Sequence, residues 1–348
     1  MPDIFHLSRL LGLAAISFMF ALAWTPALVH FLEKHRLGKQ IRFAKVPLFA
    51  SLRKKKEGTP TMGGILIWGT VLVVSLLFWW AGQIGKGTIF EEINFLSRGQ
   101  TLLPLGALVA SALVGLGDDL LGILKKGSNG GGLYMRHRLL IYTAIATFGA
   151  WWFFWKLDWD LIHVPFIGDF NIGWWYIPLF IFILVATAFS VNETDGLDGL
   201  VSGVLLIAFG AYGLIAFSQG KMDLAVFCGV IIGALLAFLW FNIHPARFFM
   251  GDTGAMSLGI TLGIIAMLTN AFLLLPLIGS ILVIESGSVI TQLLSKKIRH
   301  KKIFLSTPIH HHFEAIGWPE TKVTMRFWII GGVTAAIGLI LVFIESII

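Results

Sequence analysis

Residues 177–217 read IPLFIFILVATAFSVNETDGLDGLVSGVLLIAFGAYGLIAF. Two uncharged runs flank a short stretch that holds Glu193, Asp195 and Asp198. Each run approaches the ~20 residues that an α-helix needs to cross a bilayer. Neither shows the alternation of a membrane barrel strand, which is about ten residues long. The runs therefore read as two transmembrane helices joined by an acidic turn at one membrane face.

Similar runs lie near 8–32, 62–81, 101–117, 138–156, 174–192, 199–218, 222–241, 253–270, 272–293 and 325–346. The composition agrees, with 57% hydrophobic and 13% charged residues, whereas soluble domains carry about a quarter charged. Mean hydropathy is +0.84. Backbone groups in lipid must be satisfied within the segment, so the fold expected is all-α, a polytopic bundle of about ten transmembrane helices in one domain spanning 1–348. The first run is too long for a signal-peptide core and lacks a small-residue cleavage site, so it reads as a retained helix. Cys228, the single cysteine, falls inside the seventh run and reads as a small buried apolar side chain; no intrachain disulfide is possible.

Lys and Arg accumulate in cytoplasmic loops. With both termini outside, twenty-one of the twenty-six basic residues fall in inner loops, including nine over 34–56 and seven over 296–326. Five, Arg9, Lys86, Arg98, Lys156 and Lys221, fall outside. On this map every polar cluster is cytoplasmic, in loops near 34–61, 115–138, 191–199, 241–254 and 296–324. Such segregation predicts that the five loops converge on one site facing the cytoplasm.

The residue types suggest the chemistry. Asp118 and Asp119, in GLGDDLLG, are costly to dehydrate without a cation. Mg²⁺ takes oxygen ligands, often one or two carboxylates plus substrate phosphates; solvated loop acids are the alternative. Asp252, in MGDTG, leads into a helix whose first N–H groups can face a phosphate, or it is simply a helix cap. Asp195 and Asp198 share a face if their turn is helical, and Gly196 and Gly199 permit close approach of a ligand.

His310, His311 and His312 are consecutive and cannot all point one way, and the helical zinc spacing is absent. They suit phosphate oxygens better, in the basic field of Lys296–Lys302. The basic run 34–56 sets topology and meets anionic headgroups; it lacks the aromatic interleaving of a nucleic-acid site. Lys56, beside the GTPT turn, is its candidate ligand. Glu285 and Gln292 lie seven apart, on one face near the inner end of the ninth run. There is no GxxxxGK[ST] loop and no GxSxG elbow. The residues alone point to a membrane-spanning enzyme that uses Mg²⁺ on an anionic, phosphorylated substrate at the inner surface.

GTPTMGG after a basic run, GxGDD, VNxTDGLDGL, FLWFN followed by FFMGDTG, and PIHHHFE together resemble the polyprenyl-phosphate N-acetylhexosamine-1-phosphate transferases, over nearly the whole chain. Within them, GTPTMGG and the triple histidine resemble the phospho-N-acetylmuramoyl-pentapeptide transferase branch. The resemblance implies transfer of phospho-MurNAc-pentapeptide from UDP-MurNAc-pentapeptide to undecaprenyl phosphate, giving lipid I and UMP in a bacterial inner membrane. It implies Asp252 as a Mg²⁺ ligand, with Asp118 and Asp119 near the lipid phosphate as metal partner or base. Asp195 matches a further essential acid. Asp198, Asn242 and Phe249 match positions around the uridine, Phe249 as a stacking ring. Lys56, Asn192 and Gln292 match nucleotide or phosphate contacts, and His310, His311 and His312 the pyrophosphate or sugar end. A homodimer through an apolar outer face is compatible with the resemblance.

Two departures stand out: Phe189 and Glu193 occupy positions where these transferases commonly have Asn and Leu. The Gly-rich linker around GSNGGGLYM (127–135) reads as a mobile loop able to close over the donor. The rival readings are a GlcNAc-1-phosphate transferase, against which the triple histidine argues, and a transporter with a polar path through the bundle. Against transport, the carboxylates gather at one face.

Overall fold

The computed structural model describes residues 2–35, 37–38, 56, 58–126 and 132–347. The basic residues over 39–55 and the part of the Gly-rich linker over 127–131 lie outside these. The described chain is an all-α polytopic membrane bundle. Its helices are α1 (Pro2–Lys34), α2 (Gly64–Ile84), α3 (Ile89–Ile93), α4 (Leu102–Ile123), α5 (Met135–Lys156), α6 (Tyr176–Thr194), α7 (Leu200–Ser218), α8 (Met222–Asn242), α9 (Gly251–Leu268), α10 (Leu275–Ile278), α11 (Ser280–Ile298), α12 (Ile309–Ala315) and α13 (Glu320–Glu345).

Eight of these, α1, α2, α4, α6, α7, α8, α9 and α13, are long and apolar enough to cross a membrane. The bent pair of Phe272–Ile278 and α11 makes a ninth if counted as one span. α5 is as long, but two arginines in its first turn and three tryptophans and a lysine near its end leave it outside the eight. The run expected as one helix over 272–293 is instead broken at Gly279, where the two parts meet at 84°. Pro276 in the first turn of α10 and the glycine after Ile278 account for the break. A second departure is an antiparallel hairpin, β1 (Leu161–Val164) with β2 (Gly168–Asn171), in the loop between α5 and α6.

α9 is the axis of the bundle. All of its residues are buried except Asp252 at its tip, which is half-buried. It packs chiefly against α4 and α6, and also against α2. Lipid provides no hydrophobic drive between helices, so close approach at small residues supplies the packing. A Cβ on Gly64 would lie 2.3 Å from Gly254 Cα, and one on Gly115 would lie 2.4 Å from the Asp252 carbonyl oxygen. These contacts lock the ends of α2 and α4 against the first turn of α9. α1 packs on α8, α8 on α7, and α7 on α13. Cys228 is buried in α8 as a free thiol.

Both chain ends lie away from the tip of α9. Near the start of α1, Arg9 donates to the carbonyls of Ile93 and Asn94 and pairs with Asp223 at 2.8 Å. At the end of α13, Glu345 accepts from the Phe166 N–H and contacts His163 in the hairpin.

Candidate active site

A helix start leaves its first N–H groups without intrahelical partners. In α9 two of them are satisfied by a neighbouring helix. Asp119 of α4 accepts the Asp252 N–H at 3.1 Å on one carboxylate oxygen and the Thr253 N–H at 3.0 Å on the other. Its negative charge also complements the positive end of the helix. Gly251 has φ +73°, and a Cβ there would meet Asp119 Oδ2 at 2.6 Å, so only glycine fits the entry.

Asp252 then projects from the tip between two donors. Its Oδ2 pairs with Arg138 Nη2 at 2.8 Å, and its Oδ1 accepts from Asn192 Nδ2 at 2.6 Å. Arg138 closes the ring by donating to Asn192 Oδ1 at 3.1 Å and pairing with Asp118 Oδ2 at 2.7 Å. Asp118 is buried and also accepts the Leu133 N–H at 2.6 Å. One guanidinium thus faces two carboxylates. Among the described residues Asp118 Oδ2, though close to Arg138 Nε, has no well-directed hydrogen bond. Two hard oxygen donors with unused lone-pair capacity fit a divalent cation such as Mg²⁺.

A second charged cluster surrounds Lys56. Its ammonium pairs with Asp198 at 2.7 Å and with Glu320 at the start of α13. The other Asp198 oxygen accepts from the Ala246 N–H and lies 2.8 Å from His244 Nδ1, while Glu320 accepts the Asp198 N–H at 2.6 Å. Burial pushes the Asp198 carboxyl up, but Lys56 and the hydrogen bonds from Lys56, His244 and Ala246 outweigh it and hold it below the usual range. Ligand-type atoms of Asp198, His244 and Glu320 lie within 4.8 Å of one another. Their cation is already present, since the Lys56 ammonium pairs with both acids. Asn242 ties this cluster together by accepting the Gly199 N–H and donating to the Phe248 carbonyl. The half-buried Phe249 ring has Lys56 Nζ 5.8 Å from its centroid. The Phe249 N–H donates to the Pro60 carbonyl at 2.9 Å, and the Phe249 carbonyl accepts the Gly63 N–H at 2.8 Å. Together these two bonds fix the GTPTMGG turn beside α9.

The histidines diverge. His310 is fully buried, with Nδ1 2.9 Å from Glu285 of α11. His311 contacts Glu314, and His312 accepts the Leu305 N–H. A Cβ on Gly196 would lie 2.2 Å from His310 Nε2, so this glycine admits a side chain of the protein itself. Residues 195–199 form a turn rather than a helix, which removes the shared helical face expected for Asp195 and Asp198. Asp195, half-buried, follows the last residue of α6. Gln292 is buried and spends its amide on the 303–304 backbone: its oxygen accepts both N–H groups and its nitrogen donates to the Phe304 carbonyl.

The glycosyl transferase family 4 model matches residues 101–270, and signature 1 of the phospho-N-acetylmuramoyl-pentapeptide-transferases matches residues 56–67. A phospho-N-acetylmuramoyl-pentapeptide-transferase of Chloroflexus aggregans is 38% identical over 351 residues, covering 97% of this chain and 90% of that protein. One from Chloroflexus aurantiacus is 39% identical with the same coverage. One from Geobacillus thermodenitrificans is 37% identical, covering 93% of this chain and 95% of that protein. This chain belongs to the phospho-N-acetylmuramoyl-pentapeptide transferase family.

In this family member the signature 56–67 begins at Lys56 and ends inside α2, so it spans the turn pinned to Phe249 and Met250. The longer match contains both Asp118 and Asp252 but ends before Glu285, His310 and Glu320. The structure joins Asp118, Asp119, Asn192 and Asp252 in one cluster, and Lys56, Asp198, Asn242 and Phe249 in another. His310 packs against Gly196, in the turn that separates Asn192 of the first cluster from Asp198 of the second. Arg138, His244 and Glu320 complete the clusters and are not singled out by sequence reasoning. Arg138 reads there as one more topology charge. Its signal is a guanidinium on an apolar helix just after a Gly-rich linker. Glu193, one of the two departures, is half-buried and interacts electrostatically with His310 and Arg138; Phe189 is half-buried one turn before it.

Proposed function

We propose that this protein transfers phospho-MurNAc-pentapeptide from its UDP carrier to undecaprenyl phosphate, forming lipid I and UMP, in the bacterial inner membrane with the site facing the cytoplasm. A homodimer is part of this reading. The observation that carries it is the Asp118–Arg138–Asp252 ring at the tip of the buried α9. An oxygen of the acceptor phosphate bonds to the sugar-linked phosphorus, and the bond from that phosphorus to the bridging oxygen breaks, so that UMP leaves with that oxygen. Such transfers depend on positioning and charge neutralisation.

Asp252 and Asp118 would hold Mg²⁺, which supplies neutralisation of the diphosphate oxygens when bound. Arg138 contributes a fixed positive charge between the two acids and orients phosphate by its planar fork. Asn192 fixes the rotamer of Asp252. Asp119, with both oxygens engaged by backbone N–H groups, serves by holding the tip of α9 in place. Lys56, Asp198, Asn242 and Phe249 take the nucleotide, and Asp195 and the histidines the sugar end, with Gln292 shaping the adjoining 303–304 turn.

The test is UMP release by detergent-purified protein with Mg²⁺ and undecaprenyl phosphate, giving UDP-MurNAc-pentapeptide or UDP-GlcNAc separately. Turnover with the first alone, abolished by EDTA, is expected. Turnover with the second alone would reassign the protein to the GlcNAc-1-phosphate branch.

A further inference from the structure

Tyr142 lies four residues after Arg138 on α5, a spacing that puts both side chains on one face. It is 1% exposed. Among the described residues its hydroxyl has no hydrogen-bond partner, although buried polar groups are nearly always paired. The hydroxyl lies close enough to Asp252, Arg138 and Asp118 for their charges to act on it.

Tyr176 makes the contrast. Its hydroxyl is also buried and, among the described residues, without a partner, but its ring sits among Phe153 and Phe180 and no charged group of the described residues acts on it. Of the two hydroxyls, that of Tyr142 combines an unused donor with the acid–arginine ring, where the proposed function places the phosphates. A phenol donates one hydrogen bond and keeps its proton far above neutral pH, which suits it to a phosphate oxygen.

We infer that Tyr142 is a substrate contact whose hydroxyl donates to a phosphate oxygen held against Arg138. This rests on the transferase reading above. The oxygen belongs either to the donor diphosphate or to the acceptor phosphate.

Tyr142→Phe removes the hydroxyl and keeps the ring, and Tyr176→Phe is the matched control. UMP release is measured with donor varied at saturating acceptor and with acceptor varied at saturating donor. Tyr142→Phe is expected to lower kcat/KM by roughly tenfold or more in at least one arm, the scale of a hydrogen bond to a charged group. A loss in the donor arm assigns the diphosphate, and one in the acceptor arm the lipid phosphate. Tyr176→Phe should stay within about twofold of the parent in both. The inference is overturned if Tyr142→Phe also stays within twofold in both arms, or if Tyr176→Phe loses as much. A parent protein that releases no UMP overturns the transferase reading itself, and this inference with it.

Discussion

Replacing Asp119 by Asn probes the coupling between α4 and α9. Asp119 accepts two backbone N–H groups, from Asp252 and Thr253, one on each oxygen. Hydrogen bonds to a charged acceptor contribute about 1.5–3 kcal/mol each. Asn keeps one acceptor and turns an NH₂ toward the second N–H, so about one such bond is lost. Removing the charge from the helix start costs about 0.3–1 kcal/mol more, and up to ~2 when partly buried. The expected cost is about 2–4 kcal/mol. In detergent the thermal midpoint of Asp119→Asn should fall by several degrees. UMP release should drop because Asp252 loses its anchor, while the shape of the pH–rate profile is kept. If Asp119 were a general base, the variant would keep its stability and lose the acidic limb of the profile. A midpoint equal to that of the parent, together with a lost limb, would refute the capping argument.

Three further outcomes follow from contacts described above. Gly64→Val should prevent recovery of monodisperse protein in size-exclusion chromatography, since even its Cβ would lie 2.3 Å from the Gly254 backbone. Asp198 has a folded pKa below its unfolded one, so its contribution is present above the ordinary carboxylate range and is lost as pH falls through the folded value. Thermal midpoints measured down an acid series should therefore fall less steeply in Asp198→Asn than in the parent. His163 is the opposite case. Burial pushes its pKa down, but hydrogen bonds to Asp169 and Glu345 outweigh this and raise it. Its contribution is full below the ordinary histidine value and is lost as pH rises through the folded pKa. Amide exchange over 161–171, corrected for the intrinsic pH effect, should speed up from mildly acidic to mildly alkaline buffer, and His163→Phe should show no such change.

The spanning helices were legible because a membrane demands long apolar segments, and 177–217 already shows two of them around a turn. The break at Gly279 was hidden, since 272–293 is apolar on average and hydropathy does not register direction. The hairpin at 161–171 was hidden for a different reason: a four-residue pairing leaves too short a pattern. Among the site residues, Asp118 and Asp252 stood out because an acid beside lipid calls for an explanation. Arg138 did not, because the same basic residue also serves topology. Gln292 and Gly196 illustrate the limit of residue type as a guide. Each suits a ligand chemically, yet Gln292 spends its amide on backbone and Gly196 makes room for His310.

The burial of α9 sets Asp252 apart mechanically from Glu320. Bilayers of different thickness tilt the helices they touch, and α9 touches almost none of the lipid, so the height of Asp252 is referenced to protein alone. Glu320 begins α13, a helix with most of its surface turned outward, and it is bonded to Lys56 and Asp198. A change in membrane thickness therefore loads the Lys56 cluster directly through α13, whereas it reaches Asp252 only through the helices packed around α9.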